Sequence, residues 1–278
     1  MIIQSIGLPQ GEFGIQMAQA SGGIGFLDSV NSAAEWDIAP VTGTNAKQVN
    51  RVLATGSGAS PSAYDQWPGL NNTDTTADPT FNAGSPNYME YDGGDHKDLV
   101  SGANTVLLRD VHKTTGGTAI TFGFMIRTPA SFGPASGYIY ATVRSTTNHG
   151  IKIFVRATGV LVFQQSGGAG NLWDLATLST STNYLIMIGV DLTTSATNVE
   201  YWVNSSTGIT DTDATASATT TNPQGVMRFG AQTVTASAFL WANTREYGIF
   251  GLNKVINDTE AAAIISHYEA ETGLDFTP

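Results

Sequence analysis

The sequence predicts an all-β fold, an antiparallel β-sandwich closed by a single C-terminal helix. Three observations carry this expectation. From Tyr88 onward, short alternating or continuously apolar runs recur at regular spacing, separated by turns rich in Gly, Asn, Ser and Thr. Only 13% of the 278 residues are charged, so the exterior is built from Ser, Thr, Asn and Gly rather than from the Glu, Lys and Arg of helical surfaces. One stretch near the C-terminus carries both a helix start and a helix stop. With 41% hydrophobic residues the chain can bury a sizeable core, and its length fits one large β domain or one domain with an appendage.

Taken in order, residues 1–47 differ from the rest. They are rich in Gly, Ala, Gln and Ser, with Ile2, Ile3, Ile6, Phe13, Ile15, Met17, Ile24, Phe26 and Leu27 scattered without a strong period. They read as an N-terminal arm that orders by packing onto something else. The alternative is that they supply a strand or two of the main domain. Glu12–Ala20 has the makings of a short helix, weakened by Gly14. Residues 48–278 form the sandwich. Within them, 55–87 read as loop, punctuated by Pro61, Pro68, Pro79 and Pro86, with Trp67 and Phe81 as anchors to the core.

Strands then follow. "TVLLRDV" (105–111) is one, and "AITFGFMIRT" (119–128) alternates Ile120, Phe122, Phe124 and Ile126 on one face. "GYIYATVR" (137–144) is the next. "IKIFVRATGVLVFQQ" (151–165) is a hairpin turning on Ala157, Thr158 and Gly159. "NYLIMIGVDL" (183–192) is nearly all apolar and so belongs in mid-sheet, covered on both faces. "NVEYWVN" (198–204) puts Val199, Tyr201 and Val203 on one face and Glu200 and Trp202 on the other. The low-complexity residues 205–225 read as a long exposed loop, after which "VMRFGAQ" and "AFLWANTREYGIFGL" complete the strands. The helix, 258–272, starts at Asn257 with Glu260 three residues on, a capping box. Ala261, Ile264, Ile265 and Tyr268 form its apolar face, and Gly273 supplies the left-handed stop.

The order of these elements resembles laminin-G-like, concanavalin-type jelly rolls. "YMEYDGGDH" resembles that family's opening strand and aromatic-Asp-Gly turn. "ITFGFMIRT" resembles its next core strand, with Phe124 or Met125 where Trp is common. "NYLIMIGVDL…NVEYWVNSSTG" resembles its paired strands ending in a Tyr-x-Asn-Gly turn, the turn glycine here displaced to Gly208. "MRFGAQ" resembles its Ile-Gly strand, and "REYGIFGLNKVINDTEAAAIISHYEAETGL" its closing strand and terminal helix. The resemblance spans residues 60–276. It implies a module that binds glycans or proteins, with glycosidases as a minority and phage and bacterial surface proteins as frequent carriers, but a shared fold does not transfer an activity.

Charge and composition exclude several classes. A net charge of −11, with 12 Lys and Arg, disfavours nucleic acid and anionic membranes, both of which need clustered cations. The absence of cysteine removes disulfides, zinc–thiolate sites and cysteine nucleophiles. The first residues show neither a basic n-region nor an apolar h-region, and no run of about 18 apolar residues offers a membrane span. An adhesive-type composition without a secretory signal fits a protein made in a host cytoplasm and released with a virion.

The chemistry-bearing candidates are few. Glu90 and Asp92 are two apart and share a face if the strand continues, so Glu90, Asp92 and Asp95 approximate the Glu-x-Asp-x-x-Glu spacing of jelly-roll glycosidases. Gly93-Gly94 interrupts that strand, and the competing reading has Met89 and Tyr91 facing the core, Glu90 facing solvent and Asp92 closing an Asp-Gly turn. Asp92, Asp95 and Asp98 offer oxygen ligands for calcium. The acidic loop "TDTDAT" (210–215) reads as solvated. His96, His112, His149 and His267 are scattered without zinc spacing, and "GGAG" (167–170) lacks the P-loop pattern. Trp173 offers a ring to stack on a sugar or, as buried Trp usually does, a core anchor, and Trp241 reads as core.

The sequence therefore predicts no enzyme and no required cofactor, but a structural protein of a tailed-phage virion: a capsid decoration, head-fibre or tail-associated subunit. Its arm would dock on other virion proteins or on sister copies, in a homo-oligomer such as a trimer. The alternative is a glycan-binding adhesion module recognising a host surface polysaccharide, with a jelly-roll glycosidase as the third reading.

Overall fold

The computed structural model describes residues 34–40, 49–50, 79–95, 97–99, 119–141, 150–166, 171–191, 199–211, 227–232 and 240–277. The expectations for residues 1–33, for the loop 55–78, for the strand 105–111, for the glycine run 167–170 and for 212–225 lie outside them. Two antiparallel sheets face each other. The larger follows the path β13 (Ile209–Asp211), β12 (Val199–Val203), β11 (Asn183–Asp191), β6 (Ala119–Arg127), β15 (Thr244–Leu252), β1 (Ala34–Ala39), β2 (Val49–Asn50). Off this path, β4 (Tyr88–Tyr91) pairs with β15, and β3 (Thr80–Asn82) pairs with β4. The smaller sheet has six strands in the order β10 (Asn171–Thr177), β9 (Val160–Ser166), β8 (Gly150–Val155), β7 (Gly137–Ala141), β14 (Met227–Phe229), β5 (Lys97–Leu99).

Period-two alternation places the core. On β6, Ile120, Phe122, Phe124 and Ile126 point between the sheets, where they meet Tyr140, Ile151, Ile153, Val155, Leu161 and Phe163 of the smaller sheet. Met125 points the other way, into a second apolar cluster with Leu185, Met187, Trp202 and Phe250. The helix α1 (Asp258–Thr272) covers that cluster with Ala261, Ile264, Ile265 and Tyr268. The apolar run of β11 is explained by this arrangement, since Ile186, Ile188 and Val190 serve the inner core while Leu185 and Met187 serve the outer one.

Local chemistry fixes how the helix sits. Asn257 and Glu260 form the expected capping box, and Gly273 ends the helix in the left-handed region at φ 68°. Lys254 pairs with the buried Glu260 at 2.5 Å. Asp258 Oδ1 accepts from the Trp202 indole at 2.9 Å and from the Gly208 backbone N–H at 2.7 Å. The Trp202 bond, then the Gly208 bond, hold the Asp258 carboxyl below its ordinary pKa. Gly208 has to be glycine here, because a Cβ would lie 2.8 Å from the Trp202 ring and 2.7 Å from Glu200 Oε1. The displaced turn glycine thus lets the β12–β13 turn reach the helix.

Of the two readings of residues 1–47, Ala34–Ala39 fits the strand alternative, pairing with Ala34↔Leu252 to Ile38↔Ile249 on β15 as part of the larger sheet. Three further segments depart from expectation. Thr80–Asn82, read as loop, is a strand opposite Tyr88–Glu90. Ile209–Asp211, read as part of a long exposed loop, is an edge strand on β12. It forms because Asn204, at φ 48°, ends β12 with its side chain bonded to Leu185 N–H and Asn183 C=O. Asn171–Thr177, for which no strand was expected, forms the outer strand of the smaller sheet.

Gly123 is the tightest point of the layered packing. A Cβ there would overlap the ring of Phe250, which stacks on Tyr268 of α1 at 5.2 Å. Gly123→Ala is expected to destabilise the fold by about 1–3 kcal/mol, the cost of overpacking a filled core. Equilibrium denaturant unfolding checks this, and an unchanged midpoint contradicts it.

Candidate functional site

The acidic run falls where strand gives way to turn. Met89 and Tyr91 are in the core, and Glu90 is half-buried on the other face of β4, in register with Arg245 of β15. Arg245 Nε lies 3.5 Å from Glu90 Oε2, and its guanidinium lies 4.6 Å from the Tyr88 ring centroid. β4 stops at Tyr91, and Gly93 at φ 94° starts the reversal. Asp92 Oδ1 accepts the Gly94 N–H at 2.7 Å, and Asp95 Oδ2 accepts the Asp92 N–H at 2.7 Å. Glu90 therefore belongs to a strand pair, whereas Asp92 and Asp95 close the turn, Asp92 exposed and Asp95 buried.

The calcium candidates sit on the turn and on the strand that follows it. Asp98 lies on β5, opposite Arg228 of β14, while Asp92 and Asp95 each bond backbone in the turn. Among the described residues, no group of three His, Asp or Glu side chains is placed to hold a metal ion. Trp173 is 1% exposed, with its ring 5.5 Å from Phe163 between the sheets. It is a core residue, as its alternation with Leu175 on β10 requires, and offers no ring face to a sugar. Trp241 packs at the core margin on Phe132, and its indole donates to the Ala135 carbonyl at 2.9 Å.

Two features were not singled out from the sequence. The first is a buried acid behind the turn. Glu246, 3% exposed, accepts a 2.6 Å hydrogen bond from the Tyr91 hydroxyl. Burial, then the Glu246 charge, push the Tyr91 phenol well above its ordinary pKa, so it stays a donor. Gly230, at φ 84°, lets the chain pass, since a Cβ would lie 2.5 Å from the Tyr91 ring.

The second is the outer face of the six-stranded sheet. Ile151, Ile153 and Val155 point inward, so Lys152 and Phe154 point outward. In register across that face run Leu172, Gln164, Lys152, Ala141 and Arg228, and beside them Asp174, Val162, Phe154 and Tyr138. The face is polar at its rim, where Arg156 holds Asp174 at 2.6 Å, and aromatic where Tyr138 meets Phe154 at 5.1 Å. Lys152 is 4% exposed, and burial lowers its pKa from the usual lysine value. Lysine in an alternating strand reads as solvent-facing; no local signal reveals its burial.

No protein-family model matches the sequence, and no curated protein matches it. Solved structures share the fold. The chain is similar to the binding domain of botulinum neurotoxin DC in complex with rat synaptotagmin II (TM-score 0.57, 12% identity), covering 87% of this chain and 52% of that one. It is similar to botulinum neurotoxin type C, whose cell entry is dependent upon interaction with two ganglioside molecules (TM-score 0.58, 12% identity, 87% and 53% covered). It is also similar to Trypanosoma rangeli sialidase in complex with sialic acid (TM-score 0.56, 6% identity, 96% and 39% covered). The chain thus spans about half the length of the toxin structures and about two fifths of the sialidase. At these identities the likeness is one of β-sandwich fold.

The geometry separates a structural acid from a surface one. Tyr91→Phe removes one donor from a buried carboxylate and is expected to cost about 1–3 kcal/mol. Glu90→Gln, at a half-exposed pair, is expected to cost less than about 1 kcal/mol. Denaturant unfolding of both variants checks the ranking, and a larger loss at Glu90 reverses it.

Proposed function

We propose that the chain is a non-enzymatic recognition module: a jelly roll of the laminin-G-like or concanavalin-like kind, carried on a larger particle, that binds a host surface glycan. The observation that carries the reading is a division of labour between two regions. The acids at 90–95 are taken up by a strand pair and a turn, whereas the outer face of the six-stranded sheet gathers an aromatic ring, an amide and an ammonium. A sheet face with a few polar groups beside an aromatic is the lining that sugar sites use. The fold shared with a toxin binding domain supports the reading at the level of architecture.

The particle is read as a tailed-phage virion, with the chain as a capsid decoration, head-fibre or tail-associated subunit. Support comes from the uncharged, Ser/Thr/Asn/Gly-rich composition and from the apolar, periodless residues ahead of the sandwich, which would dock it to virion proteins or to sister copies. Calcium has no part in this reading.

On a glycan array the protein is expected to bind at least one polysaccharide, with binding unchanged by a chelator; a flat array removes the recognition reading, and loss on chelation restores a metal role to Asp92 and Asp95. Quantitative mass spectrometry of purified particles is expected to find the chain in fixed ratio to the major shell protein, and its recovery only in the soluble fraction removes the virion reading.

A further inference from the structure

One row of polar side chains crosses four strands of the larger sheet on its helix-bearing face. Glu90 on β4 stands opposite Arg245 on β15, Arg245 opposite Arg127 on β6, and Arg127 opposite Asn183 on β11. Their chain neighbours Met89, Ile126 and Tyr184 point into the core between the sheets, so this row points away from it. Read across, the row is acid, base, base, amide. Two arginines thus stand on adjacent strands, about 5 Å apart at the backbone, a placement that costs stability unless an anion offsets it. Glu90 answers for one of them, with Oε2 3.5 Å from Arg245 Nε. Arg127 meets no carboxylate among the described residues; its Nη1 donates to the neutral Asn183 Oδ1 at 3.3 Å. In a chain of 12 Lys and Arg against 23 Asp and Glu, two cations to one acid runs against the general balance.

The donors of the row converge. Burial raises the Tyr247 phenol pKa, while the charges of Arg245 and then Arg127 oppose the rise, so both guanidiniums lie near that hydroxyl. The hydroxyl itself donates to Asn183 Oδ1 at 3.4 Å. With its oxygen taken by Arg127 and Tyr247, Asn183 keeps its Nδ2 donors unused among the described residues. The row is open to solvent: the Arg245 side chain is 39% exposed, and Arg127 and Asn183 are half-buried. Two guanidinium forks and an amide are donors suited to a planar carboxylate. Charge narrows the class. The row carries one net positive charge, which a monocarboxylate neutralises and a phosphate dianion overshoots. Glu90 closes one end, so a track of repeating anions would meet a like charge there. We propose that Arg245, Arg127 and Asn183 form a binding site for the carboxylate of a free organic acid. The site lies on the other sheet from the glycan face and does not depend on that reading.

NMR of protein labelled with nitrogen-15 arginine tests it, following the side-chain Nε–Hε signals at constant ionic strength as acetate, acetamide or inorganic phosphate is added. Acetate is expected to move the Arg127 and Arg245 signals together along one saturable curve, with acetamide producing none and phosphate binding more weakly. Asn183→Asp keeps both accepted hydrogen bonds and sets a carboxylate of the chain itself beside Arg127. It is expected to bind acetate about tenfold more weakly or worse, and to melt no lower than the wild type, which separates lost binding from lost folding. Arg127→Gln is expected to remove the saturable shift from Arg245 as well. Equal drift of every arginine signal, undiminished binding by Asn183→Asp, or tighter binding of phosphate overturns the proposal. Sedimentation velocity reads the source of the carboxylate. Wild type and Asn183→Asp are expected to share one association state, and a dimer formed by the wild type alone overturns the assignment to a free acid.

Discussion

Everything in this molecule depends on the larger sheet being buried on both faces. On β6 and β11 alternate residues go to opposite cores, one between the sheets and one beneath the helix. A slip of one residue in either strand would exchange the two sets, so register, layer order and helix position are fixed together. Gly123 shows how closely they are coupled: the residue without a side chain leaves the space that Phe250 fills, and Phe250 is where Tyr268 stacks. The helix is tied at its start by Asp258, which joins the Trp202 indole of β12 to the backbone of the following turn.

The same constraint leaves the six-stranded sheet with a different task. Its inner face completes the core, whereas its outer face carries Lys152, Phe154, Ala141 and Arg228, each 8% exposed or less. There, aromatic, amide and cationic side chains stand in register, while the acids of the turn at 92–95 hold backbone on another strand end. Tyr91 and Glu246 belong to the frame, as a buried donor and acceptor that pin β4 to β15.

What could be read from the sequence followed the range of the interactions involved. The alternation of Ile120, Phe122, Phe124 and Ile126, the Gly159 hairpin, the two-sided run 184–190 and the Asn257–Glu260 cap are local patterns, and each stands where it was expected. The misread strands are short and depend on distant partners. Ala34–Ala39 becomes a strand only because β15, some two hundred residues later, presents an edge for it. Thr80–Asn82 and Ile209–Asp211 are three-residue edges inside polar, turn-rich stretches. Trp173 takes the core place that buried Trp usually takes rather than a sugar-stacking one, and the Trp173–Leu175 alternation on β10, a strand not legible in the sequence, is what turns it inward. Lys152 was beyond reach, because its burial is a property of a sheet face assembled from four strands.

Hydrogen–deuterium exchange with and without a glycan that the protein binds on the array tests the central claim most directly, because it locates the ligand face without altering a residue. The account predicts slowed exchange in β7, β8 and β9, at residues 137–141, 150–155 and 160–166, with no change at 88–95. Protection centred on the turn at 92–95, with β7 to β9 unaffected, would contradict it and return the acidic run to the centre of the function.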